Sequence, residues 1–176
     1  LKIYRLIILG SFLLSFYLSS YGQTKDWVTI NKDRYSIDYP NDWEFNETEQ
    51  MGTSFILFSP LTSEKDQFRE NVNLLIQDLK GFNLDLDKYV EISISQIKTI
   101  IKNSKIIESK RVTNQTSNYQ KVIYTGEQGN FDLKFEQYYW VVGEKAIVLT
   151  FSCEVNQFGA YQSVGEKILN SFRFKK

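Results

Sequence analysis

The chain contains no histidine. That removes Ser-His-Asp and Cys-His nucleophilic sites, imidazole metal ligands and imidazole acid–base catalysis together. Cys153 is the single cysteine. It lies at the end of an apolar stretch with no imidazole to lower its pKa, and it reads as a buried structural thiol. A zinc site needs three or four ligands, normally Cys or His, so neither a metal site nor a cofactor is expected. Carboxylates are the remaining reactive groups. Asp38 and Asp42 flank a proline turn, and Asp85 and Asp87 open a helix. Either pair has the residue type for a hard cation or glycosidase-type hydrolysis. The first pair more simply serves a strand surface and a turn, the second the positive end of a helix. Gly126-Glu-Gln-Gly129 lacks the Lys-Ser/Thr and the following helix of a phosphate loop, and reads as a hairpin connection.

Binding, unlike catalysis, has candidate residues. Asn71 and Asn73 share one face of an otherwise apolar strand, with Arg69 at its edge. A buried Asn must find hydrogen-bond partners. The pair is either satisfied internally or forms the polar floor of a ligand cleft. Tyr138 and Trp140 follow the charged half of another strand. They either pack beneath a helix or form an exposed aromatic contact patch.

The elements that carry these residues are legible from periodicity. Tyr35, Ile37 and Tyr39 alternate with Ser36 and Asp38, as in a half-buried strand that ends at Pro40. Trp43 is placed to fold back as a core anchor. Strands are expected over Trp27–Ile30, Thr53–Ser59 and Asn71–Leu79, the last buried on both faces, with an exposed loop over Thr62–Gln67 between the second and third. Leu86, Val90, Ile94, Ile97 and Ile101 recur at helical spacing behind an Asp85 cap, predicting a helix to about Asn103. A meander follows over Lys105–Thr113, Tyr119–Thr125, Phe131–Val142 and Lys145–Cys153. Gly126 to Asn130 reads as a loop, and Gly143-Glu144 as a two-residue type II′ turn. A last helix carries Phe158, Tyr161, Val164, Ile168 and Leu169 on one stripe. About seven strands joined mostly by hairpins, with two long helices, make an α+β domain with a largely antiparallel sheet.

The chain has 176 residues, enough for one domain with its own core. Residues 1–22 read as a secretory signal peptide. Lys2 and Arg5 precede an apolar run over Leu6–Leu18 that is too short to span a bilayer, and Ser20 and Gly22 are the small residues of a cleavage site. A single domain over 23–176 is expected after cleavage, with no transmembrane anchor. With no Cys near the cut, no lipid anchor is expected either. Localisation is expected to be periplasmic or secreted. Lys and Arg together number 21, as do Asp and Glu. That balance lacks the cationic excess nucleic-acid binding requires. A lone cysteine cannot form an internal disulfide.

Several segments, taken in order, resemble the PsbP-like family. These are Tyr35-Ser-Ile-Asp-Tyr-Pro-Asn-Asp-Trp43, Phe55-Ile-Leu-Phe-Ser-Pro60, Phe68-Arg-Glu-Asn-Val-Asn-Leu74, Leu86-Asp-Lys-Tyr89, Leu149-Thr-Phe151 and Ile168-Leu-Asn-Ser-Phe172. The resemblance covers about residues 26–174. It implies an α-β-α sandwich, a largely antiparallel central sheet flanked by two long helices. That fold is shared with the extrinsic photosystem II subunit and bacterial DcrB-type proteins. Roles in that group are mainly binding and assembly, and this chain is most similar to its secreted bacterial members. The expectation is therefore an exported, non-catalytic binding or assembly module whose partner is another envelope or extracellular protein. The alternatives are a carrier of a hydrophobic small molecule and a hydrolase working through carboxylates alone.

Overall fold

The computed structural model describes residues 26–47, 52–113 and 118–175. The expected leader, 1–22, lies outside the described residues. Ten strands and two helices are defined. They are β1 (Trp27–Asn31), β2 (Tyr35–Pro40), β3 (Glu44–Asn46), β4 (Thr53–Phe58), β5 (Asn71–Asp78), α1 (Leu86–Ile100), β6 (Lys102–Thr113), β7 (Asn118–Gln128), β8 (Phe131–Val142), β9 (Lys145–Glu154), α2 (Phe158–Ser171) and β10 (Arg173–Phe174). The class is α+β. A seven-stranded sheet runs in the order β3-β4-β5-β9-β8-β7-β6, and a small three-stranded sheet in the order β1-β2-β10. Every strand pairing in both is antiparallel.

Neighbouring side chains on a strand point to opposite faces, and β9 shows what each face buries. Ile147, Leu149, Phe151 and Cys153 pack with Ile168 and Leu169 of α2 and with Tyr35 and Ile37 of β2. Ala146 and Val148 pack with Tyr89, Val90 and Ile97 of α1. Each helix is thus paired with one parity of the central strand. Trp43 is buried in the α2-side core, as an anchor should be.

Local chemistry accounts for most boundaries. Asp85 caps α1, its Oδ1 accepting from the Lys88 N–H at 2.8 Å. The helix stops at Ile100, short of the predicted Asn103. Ile101 is extended, and Asn103 takes a positive φ of 52°. An asparagine tolerates that left-handed conformation, so the chain turns straight into β6. At the β8–β9 hairpin Gly143 has φ of 60° while Glu144 stays negative, as a type II′ turn requires.

Two readings of β5 and β7 need correction. Along β5, Val72 and Leu74 are fully buried but Asn71, Asn73 and Leu75 are only half-buried, so one face is covered incompletely. Residues 126–128 belong to β7 and not to a loop. The turn is Gly129-Asn130 alone, a second two-residue hairpin with Gln128 paired to Phe131. Gly126 is a glycine for a different reason: a Cβ there would lie 2.3 Å from the Ile101 side chain, where β6 leaves the helix.

Candidate functional site

The α1 side of the seven-stranded sheet carries a polar row. Register places Asn73 opposite Thr150 and Thr150 opposite Gln137, with Asn71 opposite Ser152. Gln137 Nε2 donates to Thr150 Oγ1 at 3.0 Å, and the Tyr139 hydroxyl donates to Gln137 Oε1. Across the gap, Tyr89 of α1 donates through its hydroxyl to Gln77 Oε1 at 2.9 Å. The Tyr89 and Tyr139 rings stand 6.2 Å apart. Between helix and sheet, Gln77, Tyr89, Gln137 and Tyr139 line an open groove of about 260 Å³, whose rim includes Ser93, Gln96 and Ile100. Ile100 is 74% exposed.

The groove presents polar groups without charge. Burial pushes the Tyr89, Tyr124 and Tyr139 hydroxyls up, so each stays a neutral phenol across the physiological range. Its polar groups are amides and hydroxyls, which donate and accept hydrogen bonds without carrying charge. None of the lining side chains is a carboxylate, a thiol or an amine.

Arg69, Asn71 and Asn73 are brought together next to this row, and they satisfy one another. Asn71 Nδ2 donates to the Arg69 carbonyl at 3.1 Å, and Asn73 Nδ2 to Asn71 Oδ1 at 3.5 Å. The Arg69 guanidinium donates to the carbonyls of Ser59 (2.6 Å) and Phe58 (3.3 Å) and to Glu44 Oε2 (2.7 Å). It also sits 5.0 Å from the centre of the Phe58 ring. These bonds tie the loop before β5 to the edge of the sheet.

Tyr138 and Trp140 stand on the opposite face and are buried. Trp140 packs against Tyr119, Phe172 and Phe174 at 5.3, 5.4 and 5.6 Å. The Tyr138 hydroxyl donates to Asn170 Oδ1 at 3.2 Å. Their rings lie beneath the end of α2 and the segment after it, and do not form an exposed patch.

Of the acidic pairs singled out in the sequence, Asp38, Asp85 and Asp87 make contacts that serve the fold. Asp38 Oδ1 accepts from the Thr29 hydroxyl at 2.7 Å. Asp85 caps α1, and Asp87 pairs with Arg111. Among the described residues, no three His, Cys, Asp or Glu side chains are placed to hold a metal ion. Two other carboxylates, which the sequence reading passed over, are buried. Glu70 is 1% exposed and Glu136 0%. Glu70 Oε2 accepts from Ser59 Oγ at 3.3 Å, and its Oε1 is 3.7 Å from Cys153 Sγ. Burial pushes the Glu70 carboxyl up, and it pushes the Cys153 thiol up further with help from the Glu70 charge. A protonated, sealed thiol is not a nucleophile.

Glu136 lies 2.6 Å from the Lys121 ammonium, its ion-pair partner, while neither of its oxygens has a hydrogen bond of good geometry. Burial pushes Lys121 down, but the contact with Glu136 outweighs it and the net shift is upward. The one sequence signal for Glu136 is its parity, since it shares a face with Tyr138 and Trp140.

The backbone, compared with solved structures, decides the fold. It matches cyanobacterial PsbP (CyanoP) from Synechocystis at a TM-score of 0.62 and 14% identity, covering 89% of this chain and 96% of that one. This is a PsbP-like fold. The same fold matches LpqN, a protein involved in cell envelope biogenesis of Mycobacterium tuberculosis, at a TM-score of 0.65 and 9% identity over 87% of this chain and 92% of that one. A Pseudomonas aeruginosa protein of unknown function matches at a TM-score of 0.58 and 9% identity, over 82% and 94%. No protein-family model matches the chain, and no curated protein matches it in sequence. At these identities the likeness concerns the fold alone. No helix among the described residues is long and apolar enough to cross a membrane.

Proposed function

We propose that this chain is an exported binding or assembly module that holds a partner without turning over a substrate. We read its two helices as the outer layers of an α-β-α sandwich, with the α1 groove as the contact site. One observation carries this reading. The groove beneath α1, lined by hydrogen-bonded Gln77, Tyr89, Gln137 and Tyr139, presents neutral amides and phenols, while the thiol and the two buried carboxylates are sealed on the other side of the sheet. Asn71, Asn73 and Arg69 support the groove from beside it. The exposed Ile100 supplies an apolar contact at its rim. The fold shared with LpqN, itself an envelope-biogenesis protein, supports a periplasmic or extracellular location and a partner among envelope proteins.

The test is a photo-crosslinking amino acid at Gln96, on the groove rim, in the full chain within its native envelope. A discrete protein adduct is expected there, and none from the same probe at Lys110, an exposed position on β6. Equal labelling at both positions, or no adduct at Gln96, would sink the reading. A second reading, a carrier of a hydrophobic small molecule, is favoured by an apolar cleft of about 270 Å³ on the α2 side.

A further inference from the structure

We propose that this second cleft binds a free, single-chain amphiphilic carboxylate, with the chain inside and the carboxylate at the mouth. The inference rests on the carrier reading and gives its ligand a chemistry. The cleft lies where the small sheet meets the ends of β5, β8 and β9. Tyr35, Ile76, Ile147 and Phe172 form its walls, and Val142 and Phe174 stand at its mouth. Tyr35, Ile147 and Phe172 are buried core residues, so the walls are fixed by the fold. Val142 (53%) and Phe174 (42%) remain exposed, which places apolar surface in contact with water at the entrance.

The charge around this apolar interior is of one sign. Arg34, Lys145 and Lys175 complete the lining, and no carboxylate does. Arg34 and Lys175 are held side by side, because the Lys175 N–H donates to the Arg34 carbonyl at 2.9 Å beside the β2–β10 pairing. Lys145 enters from the other sheet. Its ion-pair partner among the described residues, Asp78, lies outside the lining at 3.8 Å, with the Lys145 side chain 42% exposed. The chain as a whole has no net charge, so three cations around one apolar cleft are a local feature. They complement an anion, and the walls complement a hydrocarbon. A volume of about 270 Å³ falls just under the range of about 300–1,000 Å³ usual for ligand pockets. It suits one short chain better than a two-chain lipid. Two exposed apolar side chains make a small mouth and not a membrane-inserting face.

The experiment is an NMR titration of the full chain with octanoate, octanol and octyltrimethylammonium, each below its micelle concentration, following the Ile76 and Ile147 methyls. Octanoate is expected to move both methyls and to bind at least about fivefold more tightly than octanol, with the cationic analogue weakest. Raising the salt concentration should narrow that gap. The variant Arg34→Gln/Lys175→Gln changes two exposed side chains and is expected to fold as wild type. It should lose most of the octanoate preference over octanol, Lys145 being the one lining cation left. Equal binding of octanoate and octanol at these methyls would overturn the carboxylate claim while leaving the carrier reading intact. Methyls that move with none of the three would overturn both. Binding only to phosphatidylglycerol vesicles, without octanoate shifts, would also overturn the proposal, since a surface and not a cleft would then be at work.

Discussion

The two faces of the seven-stranded sheet are packed differently. On the α2 side, aromatic rings fill the space from β8 to the last strand, and two carboxylates are buried among them. The helix comes so close that a Cβ on Gly165 would lie 2.5 Å from the Phe151 ring. On the α1 side, amides and hydroxyls bond to one another along the sheet, and the helix leaves a groove open beside them. The first face, away from the cleft beside β10, is tightly packed, so changes in its core should be felt as lost stability. The second is the face proposed to meet a partner, so changes there should be felt in binding.

That contrast can be broken from the α2 side first. Trp140→Ala removes the ring that Tyr119, Phe172 and Phe174 pack against and should cost about 3–5 kcal/mol in denaturant unfolding. A cost below about 1 kcal/mol would mean that this face is loosely packed. Lys121→Met leaves the buried Glu136 carboxylate uncompensated, with an expected loss of about 3 kcal/mol. Adding Glu136→Leu should recover most of it, and a double variant no better than the single would show that the pair is not an isolated unit. Gly165→Ala should cost about 1–3 kcal/mol through the Phe151 clash, even though alanine favours helix.

A fourth prediction concerns pH. Burial holds the Glu70 carboxyl above its ordinary value of 4.5. The native state then binds that proton more tightly than the unfolded state does. The Glu70 contribution to stability therefore falls as pH rises from about 4.5 through the raised value. Glu70→Gln should remove this slope, so the variant gains on wild type as pH rises through that window. Parallel pH profiles would show that Glu70 is hydrated in solution. The smallest effect is expected on the other face. Gln137→Leu should cost about 1 kcal/mol or less in stability, yet lower the cross-linking yield at Gln96. The reverse pattern, stability lost and yield kept, would erase the distinction between the faces.

Much of this arrangement was legible beforehand because it rests on periodicity. The alternation around Tyr35–Tyr39, the spacing of Leu86, Val90 and Ile97, and the Gly143-Glu144 turn each state their structure locally. β3 and β10, with three and two residues, are too short to show a period and exist through pairing with β4 and β2. Gly126 was misread because a glycine required by a distant side chain looks the same in sequence as one required by a turn. Glu70 and Glu136 were missed because charge is ordinarily a surface signal, and only tertiary packing buries them. The Asn71–Asn73 pair was recognised as polar groups needing partners. That their neighbours would be Thr150, Gln137 and Tyr139 depends on the β5-β9-β8 strand order, which no local pattern encodes.

The most direct test of the division between the faces is amide hydrogen exchange on the full chain, labelled in native envelope extract, repurified, and compared with the pure protein. The account predicts added protection along the second half of α1 and the middle of β8, with α2 unchanged. Protection confined to α2, or identical exchange in both samples, would contradict it.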